Sequence, residues 1–165
     1  MPVDSLSDLP FTQVLISNSP DETIQIGKRI ALKLYNGAVL ALDGCLGSGK
    51  TCLTKGIAAG LGITDIITSP TYTIISEYLI PGKEIDIVTQ DQTREQSLYH
   101  IDAYRLADER DFENIGGMEI FDSGGVCVIE WSERIAKCLP DDVITVSLEI
   151  TGAASRNITI NGIKL

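Results

Sequence analysis

The run Gly44-Cys45-Leu46-Gly47-Ser48-Gly49-Lys50-Thr51 fits the pattern G-x-x-x-x-G-K-[ST] at every fixed position. Its residue types suit one chemistry, the grip on a chain of phosphates. Glycines let the backbone curl so that successive N–H groups point inward, and a helix starting at the end of the loop adds partial positive charge. Lys50 supplies a mobile cation for the β- and γ-phosphates of a nucleotide, and the Thr51 hydroxyl suits the magnesium that bridges them. The bland alternative is a chance glycine turn. Against it stands the setting: an apolar run, Ala38 to Leu42, comes before the loop, and Leu53, Ile57 and Leu61 follow it at helical spacing.

A phosphate site of this kind also needs a carboxylate at the end of a buried strand beside the loop's own strand. Val126-Cys127-Val128-Ile129 is an apolar run ending in Glu130-Trp131. Glu130 then stands at the carboxyl edge of a strand, where open α/β sheets bind ligands. There it can hold a metal-bound water or activate the attacking one; the alternative is a solvated strand-end carboxylate. A second candidate is Asp102, within His100-Ile101-Asp102-Ala103-Tyr104-Arg105-Leu106, where strand alternation places His100, Asp102 and Tyr104 on one face. Taken alone, His100 reads equally as a satisfied structural histidine and Arg105 as a surface ion pair. Ser69-Pro70-Thr71-Tyr72 follows the loop's helix closely. Thr71 is placed to reach the metal or its waters, as a γ-phosphate-sensing segment does, or the proline simply leads into a strand.

The elements that must position these groups are legible in outline. Phe11 to Ser17 reads as a strand, and Ser19, Pro20 and Glu22 open a helix that should run to about Tyr35 before the Asn36-Gly37 stop. Ala38 to Leu42 is a buried strand, and the helix after the loop should close at Gly60 and Gly62. Tyr72 to Ile80 and Ser97 to Ile101 read as strands separated by a polar segment, 81–94, that should form an exposed hairpin extension. Ala107 to Asn114 is a short acidic helix, Val126 to Ile129 a buried strand, and Val143 to Ile150 with Asn157 to Ile163 a closing pair of strands.

A chain of 165 residues is long enough for one core and short for two, so 1–165 reads as one domain. The formal net charge of −10 opposes a broad grip on the phosphate backbone of nucleic acid. Cys45, Cys52, Cys127 and Cys138 lack the Cys-x-x-Cys spacing of a metal site and read as reduced thiols. Met1-Pro2-Val3-Asp4 begins no targeting signal and no stretch has the length of a membrane-spanning helix, so a cytoplasmic protein without membrane contact is expected.

In order and spacing, Gly44 to Thr51, Ser69-Pro70-Thr71-Tyr72, His100-x-Asp102-x-Tyr104-Arg105-Leu106 and Glu130-Trp131 resemble the bacterial TsaE family, also called YjeE, the ATPases of tRNA threonylcarbamoyladenosine biosynthesis. The resemblance runs from about Ser17 to Pro140. It implies an α/β chain with a single-domain, P-loop NTPase-like three-layer fold and a mixed, largely parallel central sheet. It implies a protein that binds ATP with Mg2+ and hydrolyses it slowly unless assembled with TsaB and TsaD, of which TsaD modifies adenosine 37 of tRNA. Contact with tRNA would then be indirect. Carried over residue by residue, Lys50, Asp102 and Glu130 belong to the catalytic centre and Thr51 and Glu130 serve the metal. Gly44, Cys45, Leu46, Gly47, Ser48, Gly49, Lys50, Thr51 and Cys52, with Thr71 and Trp131, border the nucleotide. Cys45 stands where the family often has an acidic residue, Cys52 where it often has Thr, and the segment 81–94 is longer than usual.

Two other readings share the loop. A small-molecule kinase would need an arginine-bearing lid, but Arg29, Arg94, Arg105, Arg110, Arg134 and Arg156 are scattered. A nucleotide switch that does not hydrolyse would use the same groups to present a surface; guanine specificity is not expected, since no Asn-Lys-x-Asp occurs.

Overall fold

Ser19 caps the first helix as its sequence predicts: its Oγ accepts the Glu22 N–H at 3.1 Å, while Glu22 reaches back to the Asn18 N–H at 2.7 Å. In this computed structural model, which describes residues 11–87 and 92–165 and the side chains of all these except 85–87 and 92–94, the helix is α1, Pro20–Ala31. Met1-Pro2-Val3-Asp4 and positions 88–91 of the expected hairpin lie outside the described residues. The helix ends short of the expected Tyr35. Lys33 and Leu34 bond back to Ile30 and Ala31, three residues earlier, and so tighten the chain into turns that reverse it toward the sheet.

Among the described residues, seven strands follow the order β1-β7-β6-β2-β5-β4-β3. They are β1 Thr12–Ser17, β2 Val39–Asp43, β3 Ile75–Ile87, β4 Gln92–Asp102, β5 Val126–Glu130, β6 Ile144–Ile150 and β7 Arg156–Asn161. The pairs β6·β2, β2·β5 and β5·β4 are parallel, and β1·β7, β7·β6 and β4·β3 are antiparallel. The sheet is therefore mixed, but only half parallel rather than largely so. Its parallel centre is the part that carries the glycine loop; the closing strands 144–161 and the 75–102 pair add antiparallel flanks on either side.

Alternation sorts the core into two clusters, one per face. Leu40, Leu42, Val128 and Leu98 face α1 and the second helix, α2, Lys50–Gly60, through Ile30, Leu53 and Ile57. Val39, Cys127, Ile129 and Ile101 face the other side, where Phe112 of α3, Glu109–Asn114, and Ile135 pack on them. A fourth helix, α4, Gly117–Phe121, packs beside α3. Helices on both faces make three layers.

The two helices beside the glycine loop lie against each other with almost no side-chain spacer. A Cβ on Gly27 would meet the Leu53 carbonyl and stand 2.8 Å from Gly56 Cα; one on Gly56 would meet the Ile24 carbonyl. Among the described residues, no helix is long and apolar enough to cross a membrane.

Between 71 and 74 the chain turns instead of entering a strand at Tyr72. Ile74 N–H bonds to Pro70 O at 2.6 Å, Ile74 takes φ +66°, and β3 begins only at Ile75. Beyond the bulge between Leu79 and Glu84, β3 and β4 stay paired as far as Ile87 and Gln92.

Candidate functional site

β2 ends at Asp43 and the loop curls at once. Gly44 has φ +151°, and a Cβ there would stand 2.7 Å from the Leu148 carbonyl, so glycine alone fits. Gly49, at φ +108°, is the N-cap of α2 and offers no side chain to its first N–H groups. Those amides lack intrahelical acceptors by the geometry of any helix start, an arrangement that suits an anion. Lys50 is almost fully buried. Its ammonium donates to the carbonyls of Gly44 at 2.6 Å and Cys45 at 3.2 Å, and lies 4.2 Å from the centre of the Trp131 ring.

The carboxyl ends of β4 and β5 supply the acids. Glu130 Oε1 accepts the Thr51 hydroxyl at 2.8 Å and lies 2.8 Å from His100 Nε2. A carboxylate only accepts, so Nε2 carries the proton. His100 is fully buried, and its Nδ1 has no hydrogen-bond partner among the described residues. That single bond to Glu130 orients the carboxylate. Asp102 Oδ2 accepts from Ser69 Oγ at 3.1 Å and Thr71 Oγ1 at 3.0 Å, and Oδ1 accepts the Tyr104 N–H at 3.0 Å.

Lys50, Thr51, Thr71, Asp102, Glu130 and Trp131 line one cleft of about 530 Å3, together with Leu46, Gly47, Gly49 and Cys52. The remaining members of the expected nucleotide set stand elsewhere. Ser48 is buried behind the loop, and Gly44 and Cys45 border a separate hollow toward Ser132 and Leu139. Tyr104 lines the cleft, but not as a strand residue. β4 stops at Asp102, whose side chain caps the 3-10 turn Ala103–Arg105, so the alternation that unites His100 with Asp102 ends there. Arg105 forms no ion pair among the described residues; its guanidinium lies 4.6 Å from the Tyr72 ring centre.

Two residues beside the cleft hold left-handed backbone without being glycine: Trp131, φ +59°, next to Glu130, and Ile74, φ +66°, whose carbonyl accepts the Asp102 N–H at 2.8 Å. Such conformations cost on the order of 1–2 kcal/mol and are rare for a β-branched residue. They re-aim the chain where the acids emerge. Nothing in the residue types signalled either, nor Ser132, whose hydroxyl donates to Asp43 Oδ1 at 2.8 Å, nor Arg156, which binds the back of the loop. Ser132 and Arg156 belong to none of the motifs, and the Asp43 carboxylate and loop carbonyls they reach are distant from them in sequence.

The mixed sheet, the glycine loop joining β2 to α2 and the paired carboxylates at the strand ends define a single-domain α/β protein of the P-loop type. The family model for "Threonylcarbamoyl adenosine biosynthesis protein TsaE" matches residues 17–158. A tRNA threonylcarbamoyladenosine biosynthesis protein TsaE of Treponema pallidum (strain Nichols) is 41% identical over 145 residues, 88% of this chain and 97% of that one. The protein of the same description from Bacillus subtilis (strain 168) is 40% identical over 148 residues, 88% of this chain and 82% of that one. Among solved structures, Bacillus subtilis YdiB superposes with a TM-score of 0.72 at 35% identity, covering 96% of this chain and 90% of that chain. The chain belongs to the TsaE family. Membership carries a nucleotide-binding role in tRNA threonylcarbamoyladenosine biosynthesis.

Proposed function

We propose that this chain binds ATP with Mg2+ in the cleft between the Gly44–Thr51 loop and the ends of β4 and β5. It hydrolyses ATP slowly alone and faster with TsaB and TsaD, and so supports threonylcarbamoyl transfer onto adenosine 37 of tRNA in the cytoplasm. The observation that carries the reading is the convergence of Lys50, Thr51, Thr71, Asp102 and Glu130, from four separate stretches of sequence, on one cleft of about 530 Å3. That volume is ordinary for a small-molecule site.

The donor set fits a triphosphate and its metal. Lys50 and the first amides of α2 face anions; Thr51 and Glu130 offer hard oxygens to magnesium. No group of three or more His, Cys, Asp or Glu side chains able to hold a metal occurs among the described residues. Magnesium would therefore take most of its ligands from phosphate and water, its usual habit. When bound, it neutralises charge on the β- and γ-phosphate oxygens. Glu130, held by His100, would orient the water that attacks, and Asp102 would fix Thr71 against the γ-phosphate side. A net charge of −10 suits a protein that reaches tRNA only through its partners.

The test is reconstitution of tRNA modification over repeated turnovers, with and without this chain, alongside Mg-ATP hydrolysis before and after adding TsaB and TsaD. Modification that continues unchanged without the chain, or hydrolysis deaf to both partners while ATP still binds, overturns the proposal.

A further inference from the structure

Arg156 opens β7, and its guanidinium is spent wholly on backbone. Nε donates to Ser48 O at 2.9 Å and Nη2 to Gly47 O at 3.1 Å, while Nη1 donates to Gly152 O at 3.2 Å and Ser155 O at 2.9 Å. One planar fork thus ties the β6–β7 turn to the middle of the glycine loop, across a sequence separation of more than 100 residues. Among the described residues Arg156 makes no ion pair, so all of its donors are free for these carbonyls.

A trans peptide is planar, with C=O and N–H on opposite sides. Holding Ser48 O against Arg156 therefore turns the Gly49 N–H away from it. Holding Gly47 O the same way matches the Ser48 N–H bond to Cys45 O, at 3.0 Å, which closes the loop's turn. A charged donor on a carbonyl also polarises the amide behind it. With φ positive at Gly47 and Gly49, the loop has more conformational freedom than any ordinary stretch, and a fork with two donors removes it at the carbonyls.

We propose that Arg156 is a positioning residue for phosphate binding: it never touches the nucleotide and acts by clamping the carbonyls of Gly47 and Ser48 so that the loop's amides are aimed before a ligand arrives. This rests on the phosphate-site reading above, which it deepens by naming what holds the cradle in shape. The residue also borders a cavity of about 330 Å3 behind the loop, with Pro20, Thr23 and Cys52. A contact there with the nucleoside is the rival role.

Calorimetry with Mg-ATP and with inorganic tripolyphosphate plus Mg2+ separates these. Arg156→Gln is expected to weaken both ligands by the same factor, about tenfold, the size of one lost charge-assisted hydrogen bond. Unchanged affinity for both, even with a lowered melting temperature, overturns the proposal and leaves Arg156 a structural residue. Weaker ATP with unchanged tripolyphosphate overturns it in favour of a nucleoside contact. Arg156→Lys keeps the charge and loses the fork; it decides the matter should the glutamine variant not fold, and is expected to bind tripolyphosphate more weakly than the natural chain, equal binding overturning the proposal. A natural chain that binds neither ligand overturns the phosphate-site reading itself, whereas one that binds both while the variants do too overturns only the role of Arg156.

Discussion

Asp102 and Glu130 are register partners at the carboxyl ends of adjacent parallel strands, yet they hold different parts of the cleft. Glu130 accepts from Thr51 and His100, so it joins the helix after the glycine loop to the sheet. Asp102 accepts from Ser69, Thr71 and the Tyr104 amide, so it fixes the segment that leads into β3. Side by side on one face, the two acids set the spacing between loop and segment. That shared edge is where a triphosphate would have to be gripped from both sides.

Replacing Glu130 with glutamine keeps the shape and removes the charge. Mg-ATP should still bind within a few-fold, because Lys50 and the loop amides are intact, while turnover in the presence of TsaB and TsaD should fall by about 100-fold, the usual effect of losing one group that acts mainly in the transition state. Steady-state hydrolysis and calorimetry on the same preparation separate the two effects. Turnover equal to that of the natural chain removes Glu130 from the centre.

Asp102→Ala leaves two hydroxyls and one amide without their acceptor. The loss should be about 1–3 kcal/mol in stability, and amide exchange should accelerate over 69–74, where the turn closed by Ile74 N–H and Pro70 O has lost its side-chain anchor. Asp102→Asn keeps one acceptor oxygen and should lie between. Unaltered exchange over 69–74 in the alanine variant contradicts the anchoring role.

The parallel centre of the fold was legible because its signals are local. Alternation around Leu40 and Val128, the Ser19 cap and the glycine spacing each lie within one short window. Glu130 and Asp102 were legible as strand-end acids for the same reason. What could not be read depends on partners far apart in sequence. The left-handed Ile74 before β3 gives its carbonyl to the Asp102 N–H, and the Asp102 side chain holds Ser69 and Thr71 just ahead of it. The pairing of Arg156 with Gly47 and Ser48 has no local trace at all. Nor does the place of β7 between β6 and β1, which brings the first strand of the chain to the edge of the sheet.

Cys127 makes stability depend on pH in a known direction. Burial raises its thiol from the ordinary 9.0 to about 12. In the unfolded chain it ionises near 9, so between 9 and about 12 the unfolded state binds fewer protons than the native state, and stability must fall as pH rises. The contribution is complete below pH 9. Burial also raises Cys52, Cys138 and Tyr35, so Cys127→Ala should flatten this decline without abolishing it. Urea unfolding on either side of pH 9 measures the slope; an identical slope in the variant shows that the thiol is not the source.

Gly56→Ala tests whether the contact between α1 and α2 matters to the loop that α2 carries. The new methyl would meet the Ile24 carbonyl, backbone that cannot rotate aside. Alanine is the better helix former by roughly 1 kcal/mol, so propensity alone predicts stabilisation. Overpacking of this kind costs typically about 1–3 kcal/mol and wins if the helices cannot separate freely. The first amides of α2 sit one to two turns before Gly56, so any shift of the helix moves them against Glu130. A melting temperature lowered by several degrees, with weakened Mg-ATP binding at temperatures where the variant is fully folded, is the expected result. A stability at or above that of the natural chain would show that the helices part without strain, and that the close approach at Gly27 and Gly56 does not set the position of the loop.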